Sequence, residues 1–286
     1  MAPSKTQIHF HGPYRPQNWS LPDSVIYYIA KNPSNAKAWQ KLIQSCKYYF
    51  TKNPVFVIDS LSICWQNMWK ASLNGFQKDL AFANLPCKLW IINEISQPFN
   101  ECSSKCISSI VPNIYKCDAT ILNLAGQIIS YNEFLFLSTN VENIVLDCVT
   151  VKNENGTIVP LENLVKVLPK VYYINIDRSS SSITSNTVKE LLKIPNFSKI
   201  DKIVLQDISE TFDITMFFEH IKKCKYTKFF LKFSDTISDA YKNRVESIVD
   251  EIVSTKTYSY NPPYINFHGI SQEKYRDMYS RQNYFM

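Results

Sequence analysis

From residue 86 onward, short apolar runs that read as strands alternate with segments of helical periodicity, and this alternation leaves few folds open. The runs are KLWII (Lys88–Ile92), TILNL (Thr120–Leu124), NIVLDCV (Asn143–Val149), VYYINI (Val171–Ile176), KIVLQDI (Lys202–Ile208) and KFFLKF (Lys228–Phe233), with a weaker seventh, KTYSY, at Lys256–Tyr260. The corresponding apolar positions Leu89, Leu122, Ile144, Tyr172, Ile203 and Phe229 are separated by 33, 22, 28, 31 and 26 residues, a mean of 28. Between them, apolar residues recur at helical spacing. Cys106, Ile107, Ile110, Val111 and Ile114 form one such face, and Leu161, Leu164, Val165 and Leu168, opened by Pro160, form a second. Ile214, Phe217, Phe218 and Ile221 make a third, and Tyr241, Val245, Ile248, Val249 and Ile252 a fourth, with a shorter block at Tyr131–Ser138. Strands separated by helical crossovers pair in parallel, which places the chain in the α/β class.

Two architectures accept such a pattern. In a doubly wound open sheet the strands are apolar on both faces. In a repeat array, strand-plus-helix units line one curved sheet. Here the period persists over at least six units, and lysines alternate with Phe229, Leu231 and Phe233 along the Lys228–Phe233 run, so one strand face is polar. None of the five glycines sits in a phosphate-cradling turn, so no nucleotide-binding fingerprint exists. The repeats resemble irregular leucine-rich repeats; the asparagine that normally ends the strand segment is not regularly present, with Cys148 its nearest equivalent. The resemblance implies a solenoid with a parallel sheet over residues 86–260 and a C-terminal tail at 261–286. Its concave face is then expected to carry Trp90 and Ile92, Ile121 and Asn123, Val145 and Asp147, Tyr173 and Asn175, Val204 and Gln206, and Phe230 and Lys232. Of these, Trp90, Asn123, Asp147, Tyr173, Asn175, Gln206, Phe230 and Lys232 are the candidate partner-binding residues, since exposed aromatic and polar side chains on adjacent strands suit an interaction surface.

Residues 1–20 read as a flexible arm and residues 21–85 as a helical region. Pro22 suits a first helical turn, with Asp23 and Ser24 at the positive end of the helix dipole. Val25, Ile26 and Ile29 follow on one face, Pro33 breaks the helix, and Ser34 or Asn35 caps a second carrying Ala38, Leu42, Ile43 and Cys46. The Leu21-Pro22 opening, these apolar spacings and the closing SCKYYF (Ser45–Phe50) resemble an F-box, with Ser24 in place of the usual glutamate and Pro33 where a leucine is expected. That resemblance implies a substrate-recognition subunit of a cullin-RING ubiquitin ligase. Leu21, Pro22, Val25, Ile29 and Leu42 would bind a Skp-type linker protein, and an unidentified protein substrate would bind the concave face. The structural alternative is that these helices only cap the repeats of an interaction scaffold.

Composition narrows the remaining classes. The chain has 286 residues, 45% hydrophobic, with a net charge of +6 dispersed over 31 basic and 25 acidic residues, which does not form the footprint of a nucleic-acid binder. No apolar run approaches the ~20 residues of a membrane span, and the N-terminal residues lack the apolar core of a signal peptide. The eight cysteines are therefore expected to stay reduced, in the cytoplasm or nucleus. Cys102, Cys106 and Cys117 cluster without a nearby histidine, so burial is expected and no metal or other cofactor. His220 lacks a nucleophile nearby in sequence, no nucleophile elbow is present, and no enzymatic activity is expected. A small α/β enzyme would instead need a pocket of convergent polar groups at the strand C-terminal ends.

Overall fold

The computed structural model describes residues 18–63, 68–97 and 107–283. Three short helices come first: α1 (Asp23–Lys31), α2 (Ala36–Ser45) and α3 (Lys47–Lys52). Strand β1 (Val55–Ile63) and the hairpin β2 (Trp69–Leu73) and β3 (Phe76–Leu80) follow, then β4 (Lys88–Gln97), β5 (Ile114–Cys117) and β6 (Ile121–Ala125). The chain continues with β7 (Ile128–Ser130), α4 (Tyr131–Ser138), β8 (Asn143–Asp147), β9 (Thr150–Lys152), α5 (Leu161–Lys166), β10 (Tyr173–Asp177), α6 (Thr187–Leu191) and β11 (Lys202–Ile208). It closes with α7 (Ile214–Ile221), β12 (Lys228–Phe233), α8 (Asp239–Ser254), β13 (Tyr264–Asn266) and α9 (Gln272–Asn283).

One large, mostly parallel sheet organises these elements, in the order β13-β12-β11-β10-β8-β6-β4-β1-β2-β3, with β5 paired to β4. The α/β class with a parallel sheet is therefore correct. A uniform leucine-rich-repeat solenoid is not what forms. The sheet ends in the antiparallel strands β2 and β3, β5 pairs outside the path, and the connecting helices range from 5 to 16 residues. Residues 55–80, expected as part of a helical region, contribute three strands to the same sheet, and β1 pairs in parallel with β4. No helix among the described residues is long and apolar enough to cross a membrane.

The two faces of the sheet have different fates. Leu89 and Ile91, Leu122 and Leu124, Ile144 and Leu146, Ile174 and Ile176, Ile203 and Leu205, and Phe229 and Leu231 all enter one core, together with the apolar faces of α4, α5, α7 and α8. Alternation sends their neighbours to the opposite face. There Val55, Val57 and Trp90 join Ile26 and Ala30 of α1, Trp39 of α2 and Tyr49 of α3 in a second, smaller core. The three N-terminal helices thus lie on the sheet face that α4–α8 leave uncovered, over β1, β4 and Tyr115 of β5. Trp39 fastens them: its indole Nε1 donates to the Val55 carbonyl at 3.0 Å, and its ring meets Tyr49 edge-on at 6.2 Å.

Local sequence accounts for the starts of four of the helices. Asn35 caps α2, Ser130 and Glu133 form a reciprocal capping box on α4, Asp213 caps α7, and Ser238 caps α8. Glu210 also accepts from the Ser238 amide at 2.9 Å, which holds its carboxyl below the usual range. Where a helix was expected over Cys106–Ile114, the described residues form two 3-10 turns, Ile107–Ser109 and Val111–Asn113, the second holding Pro112, before β5. Lys256–Tyr260 is not a strand: Tyr258 and Tyr260 pack against the main core, and the edge strand starts after Pro263.

Three neighbouring strands end alike. Ala125, Asp147 and Asp177 are in register, and the residue after each, Gly126, Cys148 and Arg178, has positive φ of 62°, 54° and 48°. The amides of Gly126 and Cys148 donate to the carbonyls of Asp147 and Asp177, at 2.8 and 2.9 Å. A left-handed conformation is free for glycine and costs an L-residue roughly 1 kcal/mol. Cys148 is exposed, so little packing is lost with its side chain. Cys148→Gly is expected to stabilise the protein by about 1 kcal/mol, read as a higher urea midpoint at unchanged slope. An unmoved or lowered midpoint would mean that the turn carries no strain.

Candidate partner-binding surfaces

On α1, Pro22 opens the helix, its carbonyl accepting from the amides of Val25 and Ile26 at 2.9 and 3.1 Å. Ile26 and Ala30 turn inward and anchor the helix, while Leu21 (47% exposed), Val25 (40%) and Tyr28 (67%) run along its outer side at steps of four and three residues. Of the linker-contact residues expected from sequence, Leu21, Pro22 and Val25 are exposed, whereas Ile29 and Leu42 are half-buried against the small core. Tyr27 and Tyr28, which the sequence reading left out, are exposed beside them. Their i+3 relation to Ser24 and Val25 was the available signal.

The second surface is the sheet face beyond the N-terminal helices. Across it, Asn123, Val145, Asn175, Val204, Phe230 and Tyr264 lie in register on β6, β8, β10, β11, β12 and β13. A neighbouring row holds Asn143, Tyr173, Lys202 and Lys228. Asn123, Asp147, Tyr173, Asn175, Gln206 and Phe230 are half-buried, and Lys232 is exposed. Trp90 departs from the expectation of a solvent-facing position: it is fully buried under α1–α3. Its indole N–H donates to Asp118 at 2.7 Å, and the Lys116 ammonium lies 4.8 Å from the ring centre. The C-terminal tail adds β13 to the sheet edge, and α9 closes beside it, where Tyr275 and Tyr279 pack on Tyr264. Covering the edge in this way removes a row of unpaired backbone groups.

Charges on this face are unevenly matched. Arg178 grips Asp147 with both Nε and Nη2, at 2.9 and 2.6 Å. Burial raises the pKa of the neighbouring Asp177 carboxyl, the Asp147 charge adds to the rise, and Arg178 opposes it. Lys202 lies 4.6 Å from the centre of the Phe230 ring and 5.5 Å from that of Tyr173. The side-chain carbonyl oxygens of Asn143 and Asn175 are shut from solvent without a hydrogen-bond donor.

Other chemistry does not assemble. Among the described residues no three metal-ligating side chains converge. Cys102 and Cys106 lie outside the described residues, and Cys117 is buried, its thiol pushed up to about 11 by desolvation. His220 does have a nucleophile beside it, Cys224, whose Sγ is 3.2 Å from Nε2, an i,i+4 pair visible in the sequence. Burial raises this thiol and lowers the imidazole, so both are neutral and the thiolate needed for attack is disfavoured. A cleft of about 420 Å³ is lined by Ser130, Tyr131, Asn132, Asn153, Glu154 and Asn155, where the short strands β7 and β9 end. No protein-family model, curated protein or solved structure matches this chain, so these surfaces are interpreted from their own chemistry.

Proposed function

We propose that the chain is a protein–protein adaptor that docks one partner on α1 and receives another on the open sheet face. The observation that carries this reading is the outward line of Leu21, Val25 and Tyr28 on a helix firmly anchored through its other side. Exposed apolar side chains in such a line mark interaction sites, and the rigid anchor lowers the ordering cost of binding. Both surfaces lie on the same side of the sheet, so two partners held there would be brought near one another. The F-box resemblance of residues 21–50 supplies the class of the first partner: a Skp-type linker, with the chain acting as substrate-recognition subunit of a cullin-RING ligase.

The test is capture of a purified Skp-type linker by the full chain, quantified by titration calorimetry. The double substitution Leu21→Glu/Val25→Glu is expected to weaken binding at least tenfold, about 1.4 kcal/mol, with an unchanged melting temperature because both side chains are exposed. A folded wild-type chain that does not bind the linker would reduce α1–α3 to a cover for the sheet.

A further inference from the structure

Lys202 and Lys228 stand directly opposite one another on β11 and β12. Side chains in register on adjacent strands are about 5 Å apart, and like charges so placed repel. Neither lysine, nor Lys232, forms an ion pair among the described residues, although ten such pairs occur elsewhere. The acidic corner of the face is already answered by Arg178 on Asp147. Lys232 does act on the Asp177 carboxyl across the face, so the facing pair Lys202 and Lys228 is the positive charge of β11 and β12 without an acidic partner among the described residues.

Its spacing is also informative. Lys228, Phe230 and Lys232 alternate along β12 on the open face, flanked by Lys202 and Val204 on β11. Successive same-side residues of a strand are about 7 Å apart, and an extended peptide repeats its side chains at that same interval. We propose that this part of the sheet face binds an extended acidic peptide segment. An apolar side chain would rest on Val204 and Phe230, and carboxylates two residues before and after it would meet the lysines. The inference deepens the adaptor reading and rests on it in taking the ligand to be a protein. A nucleic-acid strand fits less well, because the chain's 31 basic residues are dispersed among 25 acidic ones and do not gather into a long basic stripe.

The test uses the full chain and a fluorescein-labelled peptide containing Glu-Ser-Phe-Ser-Glu, its Gln-Ser-Phe-Ser-Gln counterpart and a ten-residue uridine oligonucleotide, read by fluorescence anisotropy. The glutamate peptide is expected to bind at least tenfold more tightly than the glutamine peptide, and to weaken as salt rises. Lys202→Glu/Lys228→Glu should lose that preference. Lys232→Glu, at an exposed position, should reduce it, which covers any folding defect of the double variant. Equal binding of both peptides, no binding of the glutamate peptide, or tighter lysine-dependent binding of the oligonucleotide would each overturn the proposal. The lysine variants should still capture the linker through α1, so failure here is distinguishable from failure of the adaptor reading.

Discussion

Trp39→Ala is expected to detach the three N-terminal helices from the sheet. The side chain is 1% exposed and belongs to the smaller core, with Ile26 and Ala30 of α1, Tyr49 of α3, Val55 and Val57 of β1 and Trp90 of β4. Removing a buried tryptophan costs about 3–5 kcal/mol, and the Val55 carbonyl also loses its indole donor. Helices of nine, ten and six residues are too short to persist alone. The loss should therefore be local: rapid amide exchange and protease cleavage within residues 23–52, while β6–β13 stay protected. Trp39→Phe keeps much of the buried area and should retain the helices at a smaller cost. If Trp39→Ala left exchange in α1–α3 unchanged, the small core would not be what holds them. The same variant should abolish linker capture, because the outward line on α1 depends on the helix being folded.

Legibility from the sequence differed between the two faces for a physical reason. Strands β11 and β12 were readable to the residue because buried apolar side chains, Ile203 and Leu205 on one and Phe229, Leu231 and Phe233 on the other, recur at every second position. That same alternation placed Asn123, Tyr173, Asn175, Phe230 and Lys232 on the open face. Trp90 obeyed the alternation too, and points to the expected side. What the pattern could not carry is that helices some fifty residues upstream fold back over that side. The β2–β3 hairpin was missed although its signal was strong. Asn74-Gly75 is a dipeptide that favours two-residue turns with positive φ, and it has φ of 50° and 81° here. On α1, helical periodicity identified Val25, Ile26 and Ile29 as apolar but could not separate the inward Ile26 from the outward Val25. Tertiary packing alone decides that.

Alkaline pH is expected to unfold this protein through its buried thiol and phenol groups, in a range where its carboxylates stay ionised. Burial raises the Cys117 thiol from 9.0 to about 11, and the largest cause is desolvation. Burial likewise raises the Tyr241 phenol above its ordinary 10.0, its hydroxyl donating to the Phe212 carbonyl. In both cases the folded chain keeps a proton that the unfolded chain releases. Stability is then fully present below the unfolded pKa and falls as pH rises through the window above it. Each pH unit of separation costs about 1.4 kcal/mol per group. Cys117, from pH 9 to 11, removes about 3 kcal/mol, and Tyr241 removes about 3 more between pH 10 and 12. Tyr260, pushed up to about 12 by burial, adds a smaller share because it is half-exposed. The sum is comparable with the 5–15 kcal/mol that holds a typical domain together. Urea denaturation at pH 8, 10, 11 and 12 should show the decline steepening above pH 10. Tyr241→Phe should be about 1 kcal/mol less stable at pH 8 through the lost hydrogen bond, yet decline less steeply between pH 10 and 12, so the two curves converge. Parallel curves would remove Tyr241 from the account and leave the buried thiol as the main alkaline trigger.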